Sequence, residues 1–295
     1  MRRDARLRVL ARRLPPVQAA LKNLEAGARL ARMGLRTHDI DLVRKAIAVR
    51  SLSRSSLGWV TRHRTRLWEY PWALQQVDRR MRGRTQSAVD VGAGRSPVPI
   101  ALSRMGLRTV VADPGNKMTR TRPSEWLWTD YSQFGIEMQR AGMEALQVER
   151  ASVGFVLCIS VMEHVPARVR RAGLAEFARV LEPDGVCVIT LDMMRDSDRL
   201  WNSALNEQVE PEGEHGSVPD LIAEASDCGL TLEKMAPCPA RGRRVDVMGL
   251  VFRKPAATQP GDDGGDLSTG RPAAASGDPA RPGSGTSRTS GSGMA

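Results

Sequence analysis

Hydrophobic residues in the first part of the chain recur at the spacing of amphipathic helices. Leu7, Leu10 and Leu14 form one helical stripe, and two further stripes with this spacing end near residues 31 and 52. Proline, glycine and serine clusters separate the stripes. The pattern predicts a small helical extension over residues 1–66.

Short apolar segments alternate with helical segments after residue 67. This alternation is typical of βαβ units, so it predicts a doubly wound, Rossmann-like α/β fold with a mostly parallel sheet. The last two predicted strands are able to pair as an antiparallel edge. The predicted strands are Ala88–Val91, Thr109–Ala112, Gly135–Gln139, Val153–Ser160, Val186–Leu191, Leu230–Met235 and Val245–Arg253. The predicted helices are Ala73–Met81, Pro97–Met105, Arg168–Val180 and Val218–Cys228, with a turn at Glu182–Gly185.

The composition changes at Pro255. From there to the last residue of the sequence, Leu267 and Met294 are the only large apolar side chains. Such a segment buries too little apolar surface to offset its ordering entropy, so we predict a disordered tail over residues 255–295. The predicted α/β domain therefore spans residues 67–254.

Positive charge is concentrated ahead of the predicted sheet. The chain carries a net charge of +11, while residues 1–86 contain 21 basic and 6 acidic residues, so the remainder is slightly acidic. Such an excess is able to attract nucleic acid, anionic lipid or an acidic partner. A solvated helical face in an arginine-rich sequence explains it equally, and both interpretations stay open.

Localisation is predicted from apolar runs and cysteines. The longest apolar run, Val156–Met162, is too short to span a bilayer, and the N-terminus lacks the apolar block of a signal peptide. An organellar transit peptide stays open. The cysteines are far apart and form no CxxC pair, so we predict free thiols in the cytoplasm. They are Cys158, Cys187, Cys228 and Cys238.

The segment that starts at Ala88 carries the strongest functional signal. An apolar strand enters a Gly-x-Gly turn at Gly92 and Gly94, and a predicted helix follows. Glycines let the backbone approach a ligand, and Asp113, after the next strand, is suited to bind ribose hydroxyls. Dinucleotide binding requires a third glycine where Pro97 stands, so an adenosine-bearing ligand of another kind is favoured.

Four segments in this order resemble those of the class I S-adenosylmethionine-dependent methyltransferases. The resemblance covers residues 68–254 and implies a seven-stranded sheet, with an antiparallel last strand, that binds S-adenosylmethionine. The segments are Val89–Gly94, Val110–Asp113, Phe155–Val165 and Leu181–Thr190.

The resemblance also implies roles for individual residues. Asp90 would hold the methionine end of the cofactor, the turn Gly92–Ala93–Gly94 would pass beneath it, and Asp113 would bind its ribose. Met143 would line the adenine, and Ser160 would lie near the methionine.

The chain departs from the family pattern at three positions. Ser96 replaces the third glycine of the methyltransferase family's first motif. Gly154 replaces an acid that often opens the fourth strand, and the usual acid after the third strand is missing. In the absence of that acid, we expect Glu144 or a backbone N–H to bind the adenine.

Transfer of a methyl group to oxygen or nitrogen requires removal of a proton, and a histidine is the usual base. His164 and His215 are the candidate catalytic residues, with Glu163 and Asp192 behind them. We predict no metal, because Glu212, Glu214 and His215 form only a weak candidate set in an acidic loop.

The leading hypothesis is an enzyme that methylates an oxygen or nitrogen atom of a small molecule. One alternative is an RNA methyltransferase that uses the basic N-terminal region as a binding arm. The other is a non-catalytic protein that binds S-adenosylmethionine. The oligomeric state is not predicted.

Overall fold

A computed structural model describes most of the predicted α/β domain and about half of the predicted helical extension. The predicted stripes before residue 27 and the predicted tail from residue 257 onward lie outside the described residues. The described residues are 27–28, 30–32, 37–60, 63–115, 129–204, 207–239 and 245–256.

A single seven-stranded sheet forms the centre of the described structure, as the alternating pattern predicts. Its strand order is β3-β2-β1-β4-β5-β7-β6, and every neighbouring pair is parallel except the two pairs that contain β7. The strands are β1 (Ser87–Val91), β2 (Arg108–Ala112), β3 (Glu137–Gln139), β4 (Val153–Ile159), β5 (Leu181–Met194), β6 (Thr231–Pro237) and β7 (Val245–Arg253).

Helices cover both faces of this sheet. The helices are α1 (Ile40–Leu57), α2 (Arg66–Asp78), α3 (Val98–Arg104), α4 (Ala167–Val180), α5 (Glu212–His215) and α6 (Val218–Asp227), and two 3-10 helices span Tyr131–Phe134 and Met162–His164. Because side chains alternate along a strand, Phe155 and Leu157 of β4 join the core under α1, α2 and α3, whereas Val156 and Cys158 join the core under α4 and α6. The sheet is thus buried on both sides, as its apolar strands require.

The helix α1 belongs to the same hydrophobic core as α2 and α3. Asp39 caps its N-terminus by accepting a hydrogen bond from the Leu42 backbone N–H at 3.0 Å, and Gly58 ends it in a left-handed conformation. Its buried apolar residues are Leu42, Val43, Ala46, Val49 and Leu52.

Helix α2 begins seven residues earlier than predicted. The predicted start, Ala73, follows Pro71, and proline disfavours a helix interior. In the structure Pro71 lies within the helix. Trp68 and Trp72 on either side of it are buried and stack with their ring centroids 5.0 Å apart. Burial of two tryptophans contributes several kcal/mol, about as much as the ~3 kcal/mol cost of the proline.

The predicted turn at Glu182–Gly185 lies inside β5 as an irregular segment and not ahead of the strand. Val153 of β4 pairs with Leu181 and Phe155 pairs with Val186, so extra residues of β5 loop out between these pairs. Asp184 takes a positive φ of 63° there. The pairing with β7 then extends β5 to Met194, beyond the predicted end.

The predicted antiparallel pairing of the last two strands is confirmed, but β7 is not an edge strand. It lies between β5 and β6, which leaves β6 at the edge of the sheet. Within the described residues, no helix combines the length and the apolar character needed to cross a bilayer.

Candidate active site

The predicted site residues converge at the carboxyl ends of the central strands. After β1 the chain passes to the face covered by α1, α2 and α3, and after β4 it passes to the face covered by α4 and α6. The connections diverge between these neighbouring strands and leave a crevice, which is where open α/β sheets bind ligands.

The turn after β1 depends on its first glycine for space. Gly92 has φ of +70°, and a Cβ there would lie 2.6 Å from Cγ2 of Val161, which follows β4. Gly94 has φ of +51°, and no atom within 4 Å would meet a Cβ there. Gly92 thus brings the turn against the end of β4, whereas Gly94 supplies a backbone conformation that L-residues rarely adopt. Ala93 between them is half-buried against the core.

Tyr131 holds this turn in a way that no local pattern predicts. Its hydroxyl accepts a hydrogen bond from the Ser96 backbone N–H at 2.9 Å. The same hydroxyl lies 3.0 Å from the carbonyl oxygen of Gly94 and 2.8 Å from that of Ser96, and these two acceptors share its single proton. Ser96 Oγ accepts from the Val98 backbone N–H at 3.1 Å. The serine at the third-glycine position is therefore part of a buried hydrogen-bonded arrangement.

Asp113 bridges the glycine turn and the segment after β2. One carboxylate oxygen accepts from the Gly94 backbone N–H at 2.9 Å, and the other accepts from the Gly115 backbone N–H at 2.8 Å. Each carboxylate oxygen has a second lone pair, so these contacts leave acceptor capacity for a ligand hydroxyl.

Asp90 lies on β1 with a carboxylate oxygen that lacks a partner. The residue is 2% exposed, and its Oδ2 has no hydrogen bond from any described residue. Burial, followed by the charge of Asp113, raises the pKa of Asp90 well above its ordinary value. A buried carboxylate in this state is stabilised by a cationic ligand group.

A second polar cluster lies at the ends of β4 and β5. Ser160 has a positive φ of 54° and its hydroxyl donates to Glu163 Oε1 at 2.8 Å. The Asp192 backbone N–H donates to the same oxygen at 2.8 Å. Glu163 is fully buried, and neither its Oε2 nor Asp192 Oδ1 has a partner among the described residues.

Helix α2 supplies part of this cluster that the sequence analysis missed. Glu69 is fully buried and accepts from Thr190 Oγ1 at 2.7 Å, while Arg66 Nη1 lies 2.8 Å from both of its carboxylate oxygens. Burial, followed by the carboxylates of Glu163 and Glu69, raises the pKa of Asp192 to about 8, although Arg66 acts in the opposite direction. A polar helix start in an aromatic segment was the only local signal.

The two candidate catalytic histidines have different environments. His164 is partly exposed, and its Nδ1 donates to the carbonyl oxygen of Ser203 at 2.8 Å, which leaves Nε2 with a lone pair 3.9 Å from Glu163 Oε1. His215 is 1% exposed, with Nδ1 2.8 Å from Glu210 Oε1 and Nε2 3.1 Å from the carbonyl oxygen of Glu163. Both partners of His215 accept hydrogen bonds, so neither ring nitrogen is free to take a proton while these contacts hold.

Met143 follows β3 and is buried. It packs so closely against α4 that a Cβ on Gly173 would lie 2.7 Å from its Sδ. Glu144 is exposed next to it. The assignment of Met143 to an adenine pocket stays a prediction.

Comparison with known proteins gives a consistent family match. A family model described as a methyltransferase domain matches residues 89–189, from β1 into β5. A search of curated proteins gave no match.

The chain is similar in structure to solved methyltransferases. One is the 1,6-didemethyltoxoflavin-N1-methyltransferase of Burkholderia thailandensis, solved with 1,6-didemethyltoxoflavin and S-adenosylhomocysteine. Its chain is 18% identical, with 63% of this chain and 77% of that chain covered and a TM-score of 0.50. Another is the N-methyltransferase NodS of Bradyrhizobium japonicum WM9, with 12% identity, coverages of 65% and 97%, and a TM-score of 0.45.

The family model spans the glycine turn, Asp113, the end of β4 and most of β5, which are the segments that form the crevice. The strand order with an antiparallel β7 agrees with the fold of the solved methyltransferase at TM-score 0.50. The chain therefore carries the methyltransferase domain of the class I S-adenosylmethionine-dependent enzymes.

Proposed function

We propose that this chain transfers a methyl group from S-adenosylmethionine to an oxygen or nitrogen atom of a small molecule. The observation that carries the proposal is the pairing of two half-sites at neighbouring strand ends. Asp90, with its unpartnered oxygen, lies beside the glycine turn, and the Ser160–Glu163–Asp192 cluster lies across the crevice.

The glycine-turn side suits the cofactor. Asp90 Oδ2 would accept from the cofactor's ammonium group, and the remaining lone pairs of Asp113 would accept from the ribose hydroxyls. When bound, S-adenosylmethionine supplies a methyl group that is already activated on a sulfonium. What the chain itself must do is hold the acceptor atom in line with that methyl group and exclude water.

The β4–β5 side suits the acceptor. Glu163 and Asp192 each have a buried oxygen without a partner, and one oxygen of each lies within 4.8 Å of a ring nitrogen of His164. These groups are able to hold a hydroxyl or amine and to take up its proton as the new bond to carbon forms. His215 then has a positioning role, because its Nε2 holds the backbone carbonyl of Glu163.

Small acceptors are favoured over RNA by two observations. The similar solved enzyme from Burkholderia thailandensis has a small molecule in its printed name. In addition, several described basic residues of the first segment bind acidic residues of the chain itself. These pairs are Lys45 with Asp78, Arg79 with Asp39, and Arg80 with Glu233.

A methyl-transfer screen tests the proposal. Purified protein is incubated with radiolabelled S-adenosylmethionine and a cell extract, with and without ribonuclease. We expect label in the small-molecule fraction, unaffected by ribonuclease. Label that disappears with ribonuclease would support the RNA methyltransferase. Calorimetric binding of S-adenosylhomocysteine without any transfer would support the non-catalytic protein.

His164→Ala tests the acceptor side. We expect kcat to fall by about 100-fold or more, because a positioned base contributes roughly that much. Affinity for S-adenosylhomocysteine, measured by calorimetry, should stay unchanged. His38→Ala removes an exposed histidine outside the crevice and serves as the control. Equal kcat in the two variants would remove His164 from the mechanism.

A further inference from the structure

The acceptor side of the crevice has the donor set of a metal site. One oxygen each from Glu163 and Asp192 and one ring nitrogen of His164 all lie within 4.8 Å of one another. Ligands about 2.1 Å from a divalent ion are at most about 4.2 Å apart, so a small movement of the side chains brings all three to bonding distance.

Both carboxylates of this set carry one buried oxygen without a hydrogen-bond partner. Glu163 is fully buried, and although its Oε1 accepts from Ser160 and Asp192, its Oε2 accepts nothing from the described residues. Asp192 Oδ1 is also buried and accepts no hydrogen bond from the described residues. Buried polar atoms without partners are rare in folded proteins and indicate a missing ligand.

The third donor is oriented as metal-binding histidines are. The Nδ1 of His164 donates to the carbonyl oxygen of Ser203 at 2.8 Å. This contact selects the tautomer with a lone pair on Nε2 and holds the ring in place, which is the usual arrangement around a metal-bound imidazole.

The charges around the set also match a divalent cation. Arg66 binds Glu69 through both carboxylate oxygens and also attracts Glu163 and Asp192, but its single positive charge balances only one of the three carboxylates. Glu163 and Asp192 together contribute two further negative charges, and within the described ranges neither forms an ion pair with a lysine or arginine. Two buried carboxylates require compensation by a proton or by a cation.

We propose that Glu163, His164 and Asp192 bind one divalent transition-metal ion. An imidazole with two carboxylates suits Mn²⁺ or Zn²⁺ better than Ca²⁺, which prefers oxygen ligands alone. Three protein ligands leave coordination positions open. The role of the ion rests on the proposed function: an open position would hold the acceptor's oxygen or nitrogen atom beside the methyl donor and lower its pKa, in place of proton uptake by His164 itself.

Titration with Mn²⁺ alone tests the site without cofactor, acceptor or turnover. Full-length protein is stripped with EDTA, dialysed and titrated, and free Mn²⁺ is followed by its electron paramagnetic resonance signal. We expect one ion per chain, and a rise in Tm on binding because the ion binds only the folded state. Glu163→Gln and Asp192→Asn should each weaken binding by about 100-fold.

Glu212→Gln is the matched control. This exposed glutamate lies in the acidic loop that includes His215, and its replacement should leave Mn²⁺ affinity unchanged. Equal Mn²⁺ affinity in the wild type and in both Glu163→Gln and Asp192→Asn, with folding verified by circular dichroism, would overturn the site. Loss of binding only in Glu212→Gln would also overturn it.

The failure of this inference differs from the failure of the proposed function. If the stripped protein binds S-adenosylhomocysteine and transfers methyl groups in EDTA as well as with Mn²⁺, the metal site is wrong and the proposed function stands. If it binds no S-adenosylhomocysteine, the proposed function fails whatever the metal result.

Discussion

The hydroxyl of Tyr131 contacts three backbone atoms of the glycine turn and of the serine that follows it. It is buried, it accepts from the Ser96 backbone N–H, and its single proton is shared by the carbonyl oxygens of Gly94 and Ser96. Burial, as the largest cause, raises the pKa of this hydroxyl, so it stays protonated and remains a donor at neutral pH. The shape of the cofactor turn therefore depends on a residue outside the turn.

Tyr131→Phe should weaken S-adenosylhomocysteine binding by about tenfold. The change leaves the Ser96 N–H and two carbonyl oxygens without their partner, which costs about 1–3 kcal/mol when the groups are buried. Calorimetry at fixed pH measures the affinity. Ser132→Ala, an exposed hydroxyl in the same 3-10 helix, is the control. Undiminished affinity in Tyr131→Phe would show that the turn keeps its shape unaided.

At the scale of elements, the close approach of α2 to β7 determines where Glu69 and Arg66 lie. A Cβ on Gly249 of β7 would lie 2.5 Å from Cη2 of Trp72, with two further ring atoms within 3 Å. Because the indole ring lies directly on the glycine, α2 sits close enough to the sheet for Glu69 to reach Thr190 of β5.

Gly249→Ala should lower Tm and disturb the acceptor side together. The added methyl group forces the buried Trp72 ring away, and overpacking of this kind costs about 1–3 kcal/mol. Differential scanning calorimetry measures the loss. Gly213→Ala, where a Cβ meets no atom within 4 Å and φ is not positive, is the control. A Tm equal to that control would mean that α2 shifts without cost.

At the scale of the whole molecule, the predicted helical extension shares a hydrophobic core with the predicted α/β domain. Helix α1 falls within the predicted extension, yet it contributes five apolar residues to the core shared with α2, α3 and the sheet. Each fully buried aliphatic side chain contributes about 1.5–3 kcal/mol. Their sum is comparable with the whole stability of a typical domain, about 5–15 kcal/mol.

Deletion of residues 1–60 should therefore lower Tm strongly, and it should remove cofactor binding through loss of the fold. Deletion of residues 257–295, chosen from composition alone, should leave Tm and S-adenosylhomocysteine affinity unchanged. Thermal unfolding of both truncated proteins and of the full-length chain measures the two changes in Tm. An unchanged Tm after removal of residues 1–60 would mean that α1 is dispensable for the core.

The sequence by itself determined the order of strands and helices, the Gly92–Gly94 turn and the acid after β2. Each depends on neighbours along the chain: apolar runs of strand length, glycines at a sharp turn, and a spacing of about 20 residues within one βαβ unit. The same local patterns were enough for the family resemblance, which the match over residues 89–189 confirms.

Only the tertiary structure decided the rest of the site. Tyr131 meets Ser96 across 35 residues, Glu69 meets Thr190 across 121, and His215 meets Glu163 across 52. Such contacts follow from strand register and from the packing of α2 on the sheet, which no local pattern encodes. The environments of the two candidate histidines also follow only from the tertiary structure. Both ring nitrogens of the buried His215 have hydrogen-bond partners, whereas Nε2 of the partly exposed His164 keeps its lone pair.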